Sequence, residues 1–167
     1  MAFATHASAS PNWRGAREKA SELVKNISAP SIPVTEIAEN SGVNVVFTDM
    51  GKFSDKVAGF VDFNTHRIYV NMADRPQRQR FTVAHELGHW ILHRSAFEAN
   101  PKLYPVLPRF QSVERSNAFE QEANAFAAEL LVPERLLKQV SGAPVVALAE
   151  VFNVSRSMIE NRLKYGT

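Results

Sequence analysis

Apolar residues recur at intervals of three and four from Asn12 to about Ile27, through Trp13, Ala16, Ala20, Leu23 and Ile27, and predict a first helix. Ala29-Pro30-Ser31-Ile32-Pro33 breaks that pattern, and a short helix over Val34–Asn40 is expected next, closed by Gly42. The β-branched run Val43–Thr48 then reads as a strand. Val57–Phe63 and Arg67–Asn71 read as two more, joined at Asn64-Thr65-His66 with the spacing of a hairpin. Together they predict a small three-stranded antiparallel sheet.

After Asn71 the apolar period lengthens from two to about 3.6. Asp74 suits an N-cap, Pro76 the first turn and Gln77 a capping box, so a helix is expected from there to about His93. Ser95–Ser112 carries three prolines without a period and reads as a long surface loop. A second strong helix is predicted from about Val113 to Leu131, ending before Pro133. Shorter helices fill the rest, the last over Arg156–Lys164. The expected fold class is α+β, a small sheet packed on a helical core. Residues 1–11 form a disordered tail, 12–140 the main domain, and 141–167 a C-terminal helical subdomain packed on it or continuous with it.

Composition narrows the chemistry. The 167 residues include no cysteine, which excludes disulfide scaffolds, thiolate zinc fingers and cysteine nucleophiles. A net charge of +2 does not provide the broad basic face that grips nucleic acid non-specifically. The longest apolar run, near Ala143–Ala149, falls far short of the roughly 18 residues of a membrane span. Residues 1–11 lack the basic and apolar regions of a signal peptide. A cytoplasmic, monomeric protein is expected.

Of the five histidines, three lie close together. His85-Glu86-Leu87-Gly88-His89 matches HExxH within a predicted helix, where positions four apart share a face and both imidazoles can reach one ion. Glu86 borders that pair and is placed to take a proton from water on the metal. Zinc lowers the pKa of such water to about 7. His93 continues the four-residue spacing. It lies two turns from His85, which favours a supporting or packing role over ligation.

A catalytic zinc needs a third protein ligand. The helix containing Glu120-Gln121-Glu122-Ala123-Asn124 offers two candidates, Glu120 and Glu122, on opposite sides of an apolar stripe through Phe119, Ala123, Phe126 and Leu130. Periodicity does not choose between them. Asn124, one turn after Glu120, could orient a ligand histidine, which favours Glu120. That spacing is similar to the ExxxD arrangement of gluzincin peptidases, with Asn for Asp.

The segments Gly59-Phe60, Arg67–Asn71, Arg78–His89 and Glu120–Pro133 together resemble the ImmA/IrrE family of metallopeptidases, and the resemblance runs from about Ala16 to Lys164. It implies a zincin-like helical core, His85, His89 and Glu120 as zinc ligands, and Glu86 as general base, with Mn2+ as the alternative metal. It also implies a protein substrate, a helix-turn-helix repressor encoded nearby, whose cleavage relieves repression. The chain looks closer to the short form associated with mobile elements than to the longer radiation-response members with a further sensory domain.

Arg67, Ile68, Tyr69, Val70 and Asn71 are expected to form an edge strand that pairs with extended substrate. An oxyanion stabiliser is also needed, for which Tyr69 and Tyr104 are the tyrosines nearest the motifs. Leu103-Tyr104-Pro105 reads equally as a lid or as a surface excursion. Two rival functions share these features. Ala149–Ser155 with Ile159 and Leu163 follows a helix-turn-helix pattern, with Asn153 at the left-handed turn, and would turn Arg156, Ser157, Asn161 and Lys164 toward DNA. A toxin cut off by a neighbouring antitoxin is the other.

Overall fold

The computed structural model describes residues 10–100 and 118–165. Helix α1 (Trp13–Val24) starts at Asn12, whose side-chain oxygen accepts from the Gly15 N–H at 2.9 Å. Helix α2 (Val34–Asn40) has the expected bounds. Strands β1 (Asn44–Thr48), β2 (Gly59–Asp62) and β3 (Arg67–Asn71) follow, with a 3-10 turn at Gly51–Phe53 between the first two. Among the described residues five helices follow: α3 (Pro76–Ala99), α4 (Ala118–Leu131), α5 (Glu134–Val140), α6 (Val145–Phe152) and α7 (Arg156–Tyr165).

The class is α+β, as expected, but the sheet is mixed rather than antiparallel. Its order is β1-β3-β2: β2 and β3 form the predicted hairpin, whereas β1 runs parallel to β3 with Val45 opposite Ile68. The connection over residues 49–58 is long enough to carry the chain across β3. Asn71, fully buried, holds it there, its amide donating to Ser54 O at 2.8 Å and Val57 O at 3.0 Å. The most buried strand takes the middle, with Ile68 and Val70 inaccessible to solvent.

Helix α3 differs from expectation at both ends. Arg75, not Asp74, occupies the N-cap and makes no side-chain cap; Asp74 instead pairs with Arg78 at 3.2 Å, and Pro76 opens the first turn. The helix continues beyond His93 to Ala99, so the start of the expected loop is helical; 101–117 lie outside the described residues. Every residue from Thr82 to Trp90 is buried. The helix runs through the middle of the protein, between the sheet and α4, so its motif is enclosed on all sides.

Two glycines permit this packing. A Cβ on Gly88 would lie 3.0 Å from the Phe126 ring and 3.2 Å from Ala123 Cα, so α4 crosses α3 at close range there. A Cβ on Gly59 would meet Tyr69 O at 2.4 Å and the Thr82 methyl at 2.5 Å, which fixes how tightly β2 seats between β3 and α3.

Helices α6 and α7 pack on the same core through Leu148, Phe152, Val154 and Ile159. Asn153 adopts the left-handed conformation expected of it, at φ 55° and ψ 53°. Arg80 of α3 donates to the Asn153 carbonyl at 3.1 Å and the Ile32 carbonyl at 2.8 Å, tying this turn to the central helix. Leu163, expected inside, is 44% exposed; Arg162 takes the inner position and pairs with Glu129. His66 sits at φ 56° in the β2–β3 turn with its ring against the Trp90 edge, centroids 5.0 Å apart. No helix among the described residues is long and apolar enough to cross a membrane.

Candidate metal centre

The crossing of α3 and α4 at Gly88 sets the site. One turn of α3 separates His85 from His89, so their imidazoles meet edge to face on one side of the helix with Nε2 atoms 3.1 Å apart. The first turn of α4 brings Glu120 onto both. Its Oε2 lies 3.1 Å from His85 Nε2 and its Oε1 2.8 Å from His89 Nε2. His85 is fully buried, His89 2% exposed, and the Glu120 side chain opens to solvent at 20%. Burial alone would raise the Glu120 pKa, but the His85 and His89 imidazoles against it hold it well below the usual carboxylate range.

This donor set suits a divalent cation. The amide oxygen of Asn124 accepts from His85 Nδ1 at 2.8 Å, which leaves the Nε2 lone pair directed at His89 and Glu120. Electron-pair donors facing one another at such spacing repel unless positive charge lies between them. A tetrahedral ion with metal–nitrogen distances of about 2.05 Å would set its donors about 3.3 Å apart, close to the spacing here. His85, His89 and Glu120 are the residues that could hold it, all their donor atoms lying within 4.8 Å of one another. Two imidazoles and one carboxylate leave a fourth position for water, the pattern of catalytic rather than structural zinc.

Glu86 turns from this pair toward the sheet. It is 3% exposed, and its Oε2 accepts from the Val61 N–H of β2 at 3.1 Å. His93 and Glu122 belong to the surroundings of the cluster. His93 Nδ1 lies 2.8 Å from His89 Nδ1, and His93 Nε2 lies 2.7 Å from Glu122 Oε2. Burial, reinforced by neighbouring His89, lowers the His93 pKa to about 4 despite the Glu122 carboxylate. Both candidate glutamates, Glu120 and Glu122, therefore face the histidines of α3, at different levels, with Glu120 on the inner pair and Glu122 on the outer ring.

Two expectations about substrate handling change. Arg67–Asn71 is the central strand, paired on both sides, and has no edge to offer a peptide. The sheet's edges are β1 and β2, and β2 is the one that touches Glu86. Tyr69 stands on the face of β3 opposite Ile68 and Val70 and stacks on Phe60 at 5.0 Å; its side chain points away from the α3 side of the sheet. Tyr104, with Leu103-Tyr104-Pro105, lies outside the described residues. Sequence reasoning missed the Val61 N–H on Glu86 and a 3.0 Å hydrogen bond from the Asn12 N–H to Glu122 Oε1. No local pattern announces a backbone donor from another element.

Comparison with known proteins agrees with this centre. Residues 38–164 match the profile of the IrrE N-terminal-like domain, a peptidase family. Metallopeptidase ImmA of Bacillus subtilis is 24% identical over 158 residues, spanning 90% of this chain and 85% of that protein. The radiation response metalloprotease IrrE of Deinococcus radiodurans is 31% identical over 122 residues, 70% of this chain but only 35% of its own length. A solved Mycobacterium tuberculosis transcriptional regulator shares the fold, with TM-score 0.66 and 19% identity over 90% of this chain and 46% of that one.

Proposed function

This chain belongs to the peptidase family defined by the IrrE N-terminal-like domain, its metallopeptidases, and we propose that it acts as a zinc-dependent endopeptidase that cuts a helix-turn-helix repressor. The observation that carries the reading is the inward convergence of His85, His89 and Glu120 on one point. Zinc bound there would supply Lewis acidity to the attacking water and the scissile carbonyl.

The chain's own residues do the rest. Glu86 takes the proton from the attacking water and delivers it to the leaving amine. The Val61 N–H orients the Glu86 carboxyl for both steps and ties it to β2. With β3 enclosed, β2 is the edge strand beside Glu86 and the one that could align an extended peptide there. Burial of the centre strengthens these interactions by excluding water. A repressor as substrate is what membership in this family suggests; a manganese-loaded form and a cytoplasmic location fit the same reading.

The purified protein should carry close to one zinc per chain and lose most of it on His85→Ala. Full metal content in that variant would overturn the ligand set. Glu86→Gln should keep its metal and cut the repressor encoded beside the gene roughly 10²–10⁴-fold more slowly. Undiminished cleavage would remove Glu86 as the base.

A further inference from the structure

We propose that Phe60, stacked on Tyr69, is a specificity-determining residue: in a peptide laid along β2 it selects a large apolar side chain at the position opposite it, next to the peptide residue that faces Val61. The proposal rests on the metallopeptidase reading, in which β2 takes the substrate, and deepens it by naming the kind of segment that is cut.

The ladder of the sheet fixes the geometry. In an antiparallel pair, opposed residues alternate between those that exchange main-chain hydrogen bonds and those that do not. The Asn71 N–H donates to the Ala58 carbonyl at 2.9 Å, and the same register continues through Phe60–Tyr69 and Asp62–Arg67. Ala58, Phe60 and Asp62 therefore turn their main-chain groups toward β3, and Gly59 and Val61 turn theirs away from it. The Val61 N–H agrees with this, since it meets Glu86 Oε2 at 3.1 Å. A strand added to β2 would bond through Gly59 and the Val61 carbonyl, within one or two residues of the candidate base. Its residue opposite Phe60 would fall in a non-bonded pair, the closer of the two kinds, with Cα atoms about 4.5 Å apart in an antiparallel arrangement.

What that residue meets is set by the alternation of side chains along a strand. Val61 is buried in the core on the α3 side. Phe60 takes the opposite face, where its ring stacks on Tyr69 with centroids 5.0 Å apart and planes 27° apart. Both rings are partly exposed and lie outside the core cluster of the described residues. Val46 of β1 stands opposite Tyr69, so one apolar row, Val46–Tyr69–Phe60, crosses the three strands and ends at the β2 edge. The next row on this face, Asn44–Arg67–Asp62, is polar. A substrate side chain opposite Phe60 extends the apolar row by one place, and cross-strand neighbours of an aromatic ring are favoured when they are aromatic or branched and apolar.

The test digests a random peptide library with the zinc-loaded full chain and reads the residues around each cut by mass spectrometry. One fixed position beside the cut should favour Phe, Tyr, Leu or Met over Ser and Gly, by about 2–10-fold in kcat/KM for peptides then made singly. Phe60→Thr, which suits a strand, should flatten that preference and leave those at other positions. Phe60→Lys should turn it toward Asp and Glu, and zinc content should match wild type in both. A merely structural role for the ring would lower thermal stability and all cleavage rates together while the preference stayed. That outcome, or a wild type without the apolar preference, would overturn the proposal. Panning a displayed form of the library against Glu86→Gln, with and without Phe60→Thr, reads the same preference as binding. A wild type that cuts nothing would sink the metallopeptidase reading, and the panning would still decide the subsite: an apolar preference lost in Phe60→Thr supports it, and an unchanged or absent one overturns it.

Discussion

Helix α4 carries a carboxylate shielded by the protein near each end, and the two ends are built on opposite principles. At its C-terminal end Glu129 is saturated by the protein. Arg162 meets Oε2 at 2.5 Å, the Ser21 hydroxyl donates to Oε1 at 2.8 Å, and Arg162 is held in turn by the Val132 carbonyl. At its N-terminal end Glu120 meets two imidazoles whose outer nitrogens face Asn124 and His93. The partners that meet its two oxygens are the ring nitrogens of His85 and His89. Shielding from water is common to both, nearly complete at Glu129 and partial at Glu120. What separates the two ends is the partner: a guanidinium closes on Glu129, whereas ring nitrogens able to ligate an ion meet Glu120.

The largest effect expected from this contrast is on stability. Glu129→Ala strands the 5%-exposed Arg162 guanidinium and should cost about 3–5 kcal/mol in denaturant unfolding. Zinc affinity of the folded fraction should stay unchanged. Replacing both partners together, as Glu129→Leu with Arg162→Met, should recover most of the loss. Zinc weakened along with stability would break the distinction, because the two ends of α4 would then be one coupled network.

The opposite signature is expected of Asn124. Asn124→Ala removes the acceptor that orients His85 and should weaken zinc binding about 10–100-fold, equivalent to about 1.4–2.7 kcal/mol. Thermal unfolding of the metal-free chain should shift little, since that amide serves a ligand rather than the core. An affinity equal to wild type would show that packing alone aims the ring.

These contrasts explain what was legible in the chain. The four-residue spacing of His85, His89 and His93, the hairpin turn before Arg67 and the left-handed Asn153 are local features, decided within a few residues. Asn124 as the partner of a ligand histidine follows from helical geometry once Glu120 is chosen. The failures are non-local. β1 pairs parallel to β3 because the 49–58 connection crosses the sheet, and a strand pattern carries no information about its neighbour's direction. The Asp74 cap was displaced by its pairing with Arg78. Glu122 could not be assigned because its partners, Asn12 and His93, come from two other helices.

The smallest effect sharpens the contrast most, because two terms oppose each other in it. Gly88→Ala improves the propensity of α3 by about 1 kcal/mol. Its new Cβ would press on the Phe126 ring at 3.0 Å and Ala123 Cα at 3.2 Å, and overpacking of that kind typically costs about 1–3 kcal/mol. Net destabilisation should therefore be no more than about 1–2 kcal/mol. The ring can tilt but the α4 backbone at Ala123 must retreat, and Glu120 lies one turn away on that backbone. A shift of a few tenths of an ångström at the crossing lengthens the reach of Glu120 to both histidines while leaving the Arg162–Glu129 clamp, two turns beyond Ala123, in place. Zinc affinity should fall by more than the stability change accounts for. Equal losses in the two measurements would show that α4 moves as a rigid rod, with the metal centre and the clamp at its two ends responding together.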